Sequence, residues 1–193
     1  VRYMITAEVS TIFTFEGSVK KIHHVVLTPS LETAIQINER LTRYGDLGVD
    51  GRPMLDMTAP HLVEEVMQVS DENVVIPSHA WTPWFSIFGA FSGFDRVEDC
   101  YQDMTRHIPA LETGLSSDPP MNWRLSALDK FALVSNSDSH SSWPWRIGRE
   151  ANVFELNRLT YQEVVDAIRK KDPKRFKFTI ETDPAYGKYH WTG

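Results

Sequence analysis

The alternation of short apolar segments with helix-like segments, sustained along the chain, is the feature that most constrains its fold. Residues 3–10 alternate apolar and polar side chains with the period of a strand, and residues 20–28 follow a turn signal at 16–18. Three further short apolar runs read as buried strands: 73–77, 108–114 and 131–137. Because helical patterns lie between them, we predict an α/β fold with a largely parallel sheet or barrel, in one domain.

The helix predictions rest on capping residues and on apolar stripes. Ser30 is a suitable N-cap for the first helix, and Thr58 is a suitable N-cap for a helix over 59–69 with a proline in its first turn. A third helix opens after Thr160 with a T-x-x-E capping box. Two less regular helices are predicted near 96–104 and over 123–130.

The composition excludes several classes of protein and of site. The single cysteine, Cys100, rules out an internal disulfide and a cysteine-based zinc site. The net charge of -6 argues against a general nucleic-acid footprint, although a local site remains open because clustered acidic ligands make a metal-free chain look more acidic. No apolar run is long enough to span a bilayer and no secretory leader is evident, so we expect a cytoplasmic protein without membrane contact.

Polar side chains with metal-ligand chemistry stand where several predicted strands end. In α/β folds the working residues gather at these ends, and imidazole with carboxylate suits zinc, manganese or iron. His23 and His24 lie in the returning strand of the hairpin and point to opposite faces, so at most one of them faces the acidic side chain on the first strand. The candidates at the strand ends are Glu8, His79, Glu112, Asp138 and His140.

Each candidate also has an ordinary structural role. A single histidine after a strand is usually hydrogen-bonded or at the surface, and a glutamate on the polar face of a strand is usually solvated. Asp138 and His140 form the stronger pattern, because residues i and i+2 of an extended segment point the same way. The alternative is a turn rich in Ser, Asn and Asp with a surface histidine. From the residues alone, both interpretations stay open.

Aromatic and basic side chains surround these candidates in the sequence. The aromatic residues are by default core or surface packing, but their position beside His79 and His140 also fits a stacking platform for a nucleobase. Arg146 and Arg149 are suitable for a phosphate clamp, with helix capping or an ion pair as the alternative. The aromatic residues in question are Trp81, Trp84, Phe85, Trp143 and Trp145.

The order of these motifs resembles the later metal-binding motifs of the PHP (polymerase and histidinol phosphatase) superfamily. Sequence blocks that cover nearly the whole chain resemble, more narrowly, the endonuclease Q family. They are "TAEVS", "KKIHHVVLTPSLE", "DGRPML", "IPSHAWTPWFSIFGAFSGFD", "ETGLSSDPPMNWRLSALD", "SNSDSHS", "GREAN" and "GKYH". The resemblance implies a distorted (β/α)7 barrel that hydrolyses phosphodiesters, nicking DNA on the 5′ side of deaminated bases and abasic sites.

The resemblance also implies roles for individual residues. Glu8 matches the carboxylate that bridges ions, His23 rather than His24 matches the histidine of the second block, and His79 that of the middle block. Asp138 and His140 match the final Asp-x-His pair. With Glu8 these two are the implied catalytic residues, in a complete site that holds two or three divalent ions (zinc, manganese or magnesium). Apart from the resemblance, the chemistry and position of the residues themselves predict substrate binding by Trp81, Trp84, Glu112, Arg146 and Arg149.

The chain departs from the family pattern at its start. PHP proteins begin with a His-x-His motif on the first strand, and no such motif precedes Glu8. We therefore expect residues 1–193 to be a single partial PHP domain lacking its first strands, a fragment with weak metal uptake, a tendency to associate and background nuclease activity. Two rival functions remain: a PHP phosphatase acting on a small phosphomonoester, and a catalytically inactive DNA-binding or structural remnant.

Overall fold

A long antiparallel hairpin of β1 (Ile5–Phe15) and β2 (Ser18–Thr28) organises the fold. The computed structural model describes residues 2–49 and 51–189. The two residues of the hairpin turn, Glu16 and Gly17, have φ angles of 48° and 77°. Two positive φ angles are typical of the turn type whose twist matches that of the strands, and glycine supplies one of them without strain. The predicted hairpin is confirmed.

The remaining strands form small sheets of mixed direction. They are β3 (Met54–Leu55), β4 (Val74–Pro77), β5 (Ala110–Glu112), β6 (Ala132–Val134), β7 (Ala151–Phe154) and β8 (Phe176–Ile180). The order of the four-stranded sheet is β3-β1-β2-β4, in which β3 is parallel to β1 and β4 is antiparallel to β2. The pair β5-β6 is parallel and the pair β7-β8 is antiparallel.

The α/β class is therefore observed, but the expectation of a largely parallel sheet is wrong. The tight turn at Glu16 and Gly17 forces β1 and β2 to run antiparallel over their full length. The chain then returns to the free edge of β2 in the opposite direction, which makes β4 antiparallel as well. The parallel neighbours are β3 beside β1 and β6 beside β5, and in each pair a helical segment lies between the two strands in the chain.

The helices begin where capping side chains are available. The side chains of Ser30, Thr58 and Thr160 each accept a hydrogen bond from the backbone N–H three residues further on, which confirms the three predicted starts. The helices are α1 (Leu31–Leu41), α2 (Ala59–Val69), α3 (Val97–Tyr101), α4 (Pro119–Asn122) and α5 (Tyr161–Arg169). The part of the chain that the structure describes contains no helix long and apolar enough to cross a membrane.

Two helix predictions differ from the structure in position or type. The helix expected over 123–130 is replaced by α4, which starts earlier because Asp118 caps it and two prolines occupy its first positions. A single 3-10 turn at 126–128 follows. The helix expected near 96–104 is α3 followed by a 3-10 turn over 102–107, with Gln102 at a φ of 49° between them.

The four-stranded sheet packs on both faces, and this arrangement sets the position of the site. On one face, Ile22, His24 and Val26 of β2 point into the larger core, which α1 and α2 cover. On the other face, Val25 and Leu27 pack with the smaller core against α5. Because side chains alternate along a strand, His23 lies on this second face, at the end of the sheet near β5 and β6.

Candidate metal centre

The hairpin register brings an acid and an imidazole together. In β1 and β2, Glu8 lies opposite Val25, and Ser10 lies opposite His23. Glu8 and His23 are thus diagonal neighbours on the same face of the sheet, at a separation that long side chains can bridge. Glu8 Oε1 lies 3.2 Å from His23 Nδ1. The contact between Glu8 and His23 therefore depends on the strand register, which the sequence alone does not determine.

The neighbouring histidine, His24, points to the opposite face. Its ring is fully buried, with Nε2 2.9 Å from the Thr11 hydroxyl and Nδ1 2.8 Å from the Tyr101 hydroxyl. Burial lowers the pKa of His24 to about 3, so the ring stays neutral inside the larger core. Of the two histidines that the sequence leaves open, only His23 lies near Glu8.

His79 completes the cluster from the loop after β4. Its Nε2 lies 3.4 Å from Glu8 Oε1 and 3.1 Å from His23 Nδ1. The backbone of His79 has a φ of 30°, an uncommon conformation for a residue with a side chain. It is held by the buried Glu112 carboxylate, whose Oε2 accepts a hydrogen bond from the His79 N–H at 2.7 Å. The Thr82 hydroxyl lies 2.7 Å from His79 Nδ1, which leaves Nε2 facing the cluster.

A glycine makes this position of His79 possible. A Cβ atom at Gly114 would lie 2.6 Å from the His79 Cβ, a distance that side chains do not tolerate. Gly114 also has a φ of 64°, where glycine is favoured. The close approach of β5 to the His79 loop therefore depends on the absence of a side chain at residue 114.

Glu8, His23 and His79 have the chemistry of a metal site. One ligand atom from each lies within 4.8 Å of the others. Glu8 Oε1 is buried and makes no well-directed hydrogen bond within the described chain, although cationic and imidazole nitrogens surround it. A buried oxygen without a directed donor, next to two imidazole nitrogens, fits zinc, manganese or iron.

Arg52 connects this cluster to Asp138, and sequence reasoning did not single it out. Its Nε lies 2.6 Å from Glu8 Oε1, and its Nη2 lies 2.6 Å from Asp138 Oδ1. The first contact is an ion pair without hydrogen-bond alignment, whereas the second is a hydrogen bond. The loop that carries Arg52 is fixed to β1, because the Pro53 carbonyl accepts a hydrogen bond from the Ser10 N–H. The "DGRP" sequence indicates a loop that contains an arginine, but it does not predict the direction in which the side chain points.

Asp138 and His140 reach the cluster through Arg52 rather than directly. His140 Nε2 lies 3.2 Å from Arg52 Nη1, and His140 Nδ1 lies 2.9 Å from the Asp138 carbonyl oxygen. Asp138 has a φ of 43°, so the assumption that this segment is extended is wrong. The ring of His140 turns back towards Asp138 and remains largely exposed.

The charges of the cluster shift its pKa values in opposite directions. Burial by itself raises the pKa of Glu8, but contacts from His23, His79 and Arg52 outweigh it and hold that pKa well below its ordinary value. Burial lowers the pKa of His23, and the nearby cations add to this effect. For His79, burial is outweighed by Glu8 and the other acids, so its pKa is raised. Burial raises the pKa of Glu112 to about 7.

Two of the predicted substrate-binding residues, Glu112 and Trp81, pack against other parts of the protein, Glu112 fully buried and Trp81 partly buried. Glu112 is only 3% exposed, and its second oxygen accepts a hydrogen bond from Asn136. Trp81 donates its Nε1 hydrogen to Asn122 Oδ1 at 2.8 Å, and its ring packs on Phe88. Contact of Glu112 and Trp81 with substrate therefore stays a prediction. The burial of Glu112 and the partial burial of Trp81 are effects of tertiary packing that their sequence neighbours do not reveal.

The other predicted binding residues line a cavity of about 740 Å³ beside the cluster. Trp84 is half exposed there and stacks on Phe91, with ring centroids 4.2 Å apart. Arg146 faces the same cavity. Arg149 also lines it, but its guanidinium donates to the Ser137 carbonyl oxygen at 2.8 Å. The cavity wall includes further predicted site residues, namely His23, His79, Asp138 and His140.

Comparison with solved structures identifies close similarity in fold. The lesion-specific endonuclease PfuEndoQ from Pyrococcus furiosus is 30% identical, with a TM-score of 0.76 over 92% of this chain and 46% of that chain. An endonuclease Q complex with a 27-mer duplex substrate, carrying an abasic lesion at the active site, is 31% identical, with a TM-score of 0.78 over 93% of this chain and 47% of that chain.

Two curated relatives are also similar in sequence. The uncharacterised protein YqxK of Bacillus subtilis is 28% identical over 172 residues, 89% of this chain and 42% of that protein. The uncharacterised protein MJ0043 of Methanocaldococcus jannaschii is 32% identical over 119 residues, 59% of this chain and 14% of that protein. No family model matches the chain. The chain spans less than half the length of each of these four proteins.

Proposed function

We propose that this chain, which is related to the endonuclease Q proteins in sequence and fold, is the ion-binding and lesion-binding part of a DNA repair endonuclease. The observation that carries the proposal is the cluster of Glu8, His23 and His79 beside a nucleotide-sized cavity. We further propose that its sheets form part of a distorted (β/α)7 barrel of the PHP type, and that its substrates are duplexes with abasic sites or deaminated bases.

The cluster would supply the ligands for a divalent ion. Such an ion polarises a phosphate oxygen and lowers the pKa of a bound water to near neutrality. Glu8 offers a carboxylate oxygen, and His23 and His79 offer one nitrogen each. Thr82 holds His79 by its other nitrogen, and Glu112 holds its backbone, so the two act as positioning residues. Asp138, 2.6 Å from Arg52, is the proposed ligand of a further ion.

Arg52 and Arg146 provide the positive charge that a phosphodiester needs. Arg52 stands between the two acids of the site with part of its guanidinium on the cavity wall, where it can pair with a non-bridging phosphate oxygen. Arg146 lines the same cavity and is the proposed second phosphate contact. His140, which is exposed on the cavity wall, is proposed to orient a phosphate oxygen by a hydrogen bond.

The cavity would hold the damaged nucleotide turned out of the base stack. Enzymes that act at a base or abasic site reach it in this way, and aromatic side chains stabilise the extruded group. Trp84 offers such a surface, since it is half exposed on the cavity wall and its orientation is fixed by stacking on Phe91.

Lesion-dependent binding tests the proposal. We expect the chain with Mn²⁺ to bind a duplex containing one abasic-site analogue more tightly than the same duplex undamaged, as measured by fluorescence anisotropy. A longer protein that contains this chain should nick the strand on the 5′ side of the lesion. Equal affinity for both duplexes contradicts the proposal. Hydrolysis of a small phosphomonoester by a chain with no duplex affinity would favour the phosphatase alternative instead.

A further inference from the structure

Two exposed tryptophans form a stacked pair in the loop between Ser141 and Arg146, two residues that line the cavity. The rings of Trp143 and Trp145 lie with centroids 5.0 Å apart and planes 13° apart. They are 60% and 67% exposed, respectively. Single exposed aromatic residues are common, but a contiguous exposed apolar patch often marks an interaction site. The proposed function leaves the pair without a role.

The loop that carries the pair is fastened to the site. The Trp143 carbonyl accepts a hydrogen bond from the Arg146 N–H at 2.9 Å, which closes a turn around Trp145. Ser137 anchors the far end of the loop, because its hydroxyl accepts from the Gly148 N–H and its carbonyl accepts from Arg149 Nε, both at 2.8 Å. The pair is therefore held in one position relative to Asp138 and the cavity.

Basic side chains line the cavity that this loop borders. Arg52, Arg146, Arg149 and Lys188 all line the cavity, in a chain whose net charge is -6. Flat aromatic faces with flanking cations match the bases and phosphates of a nucleic acid.

We infer that Trp143 and Trp145 form the surface on which the duplex rests next to the extruded nucleotide. The inference rests on the proposed function and extends it to a second contact. Turning a nucleotide out of the helix leaves its neighbouring base unstacked, and an indole face at the cavity edge restores that stacking. The occupant is therefore a duplex opened at a lesion, with its phosphates on the basic residues of the cavity.

The test compares the Trp143→Ala, Trp145→Ala double variant with the unmodified chain. Binding of a fluorescein-labelled duplex with one abasic-site analogue is measured by anisotropy, in Ca²⁺ buffer and again in EDTA. We expect the dissociation constant to rise at least about fivefold, the lower end for loss of one base-stacking contact. The double Phe variant should recover most of the affinity. Trp123→Ala is the matched control, since Trp123 is equally exposed but lines a different groove.

The outcomes separate this inference from the proposed function. If the unmodified chain shows no preference for the damaged duplex, the proposed function and this inference both fail. If it shows the preference and the double Ala variant binds equally well, or no worse than Trp123→Ala, only the inference fails. Self-association of the unmodified chain that is lost in the double variant would assign the pair to a second copy and overturn the inference.

Discussion

Arg52 is the residue on which the electrostatics of the site depend. Its guanidinium lies 2.6 Å from Glu8 and 2.6 Å from Asp138, the two acids proposed to hold ions. A divalent ion in the cluster would compete with Arg52 for the same oxygens, since both are cations. Arg52 therefore stabilises the metal-free site and opposes metal uptake at the same time.

Replacing Arg52 with Gln should separate these two effects. We expect the metal-free variant to lose about 2 kcal/mol of stability, because two partly buried carboxylates lose their charged donor. We expect Mn²⁺ to stabilise the variant more than the unmodified chain. Thermal unfolding with and without Mn²⁺ measures both changes, and Arg146→Gln is the control from the same cavity. A smaller Mn²⁺ stabilisation in Arg52→Gln would mean that Arg52 supports the ligands instead of competing with the ion.

Glu112 gives the metal-free protein a predictable response to pH. Burial raises the pKa of Glu112 to about 7, so the folded state keeps a proton that the unfolded chain releases near its ordinary value. Its contribution to stability is present at low pH and is lost as pH rises through about 7, by at most about 3 kcal/mol. Glu112→Gln should remove this decline in unfolding free energy measured by urea denaturation between pH 5 and 7, in EDTA. A slope identical to that of the unmodified chain would contradict the assignment.

At the scale of elements, the hairpin and its neighbours show what sequence can predict. Capping residues and alternation located β1, β2, α1, α2 and α5 closely, because these signals act within a few residues. The strands β7 and β8 were missed, although Phe176, Phe178 and Ile180 alternate as a strand should. This alternation was not recognised as a strand, because a lysine lies between the two aromatic residues and because both strands are short.

The partners of each candidate residue were harder to predict than the residues themselves. His23 was preferred to His24 only through family resemblance, because the register of β1 and β2 decides which ring meets Glu8. The burial of Glu112 and the partial burial of Trp81 involve contacts with His79 and Asn122, which are distant in sequence. The roles of Asp138 and His140 as ligands stay predictions.

Gly114 provides a test of how β5 positions His79. We expect Gly114→Ala to lower stability by about 2–4 kcal/mol, because the new Cβ meets both a positive φ and the His79 side chain. Gly17→Ala is the control, since Gly17 also has a positive φ but has open space around it. Comparing the two unfolding free energies isolates the clash. Equal losses would show that residue 114 does not press against His79.

At the scale of the whole molecule, the site is assembled from segments that lie far apart in the chain. The hairpin supplies Glu8 and His23, the loop after β4 supplies His79, and the loop after β6 supplies Asp138. The cavity proposed to hold the lesion lies where these segments meet. The composition and net charge are those of an ordinary acidic globular protein. They do not predict that these segments come together, because that depends on the topology of the fold.

In a longer protein that contains this chain, Asp138→Asn tests whether Asp138 is needed for the nicking reaction and not for folding. The substitution keeps the shape of the side chain and the acceptor for Arg52, so the melting temperature should change little. The nicking rate should fall by about two orders of magnitude or more, because a charged ligand is lost. A single-turnover assay on a lesion duplex measures the rate, and a rate within a few-fold of the unmodified protein would remove Asp138 from the mechanism.

Metal binding by the cluster of Glu8, His23 and His79 is the central claim, and isothermal titration with Mn²⁺ tests it most directly. We expect the unmodified chain to bind the ion, and His23→Ala to weaken binding by about tenfold or more. His61→Ala is the control, because His61 lies on α2 and contacts Tyr44 instead of the cluster. Unchanged binding by His61→Ala with lost binding by His23→Ala is the predicted result. Equal binding by the unmodified chain and His23→Ala would contradict the account.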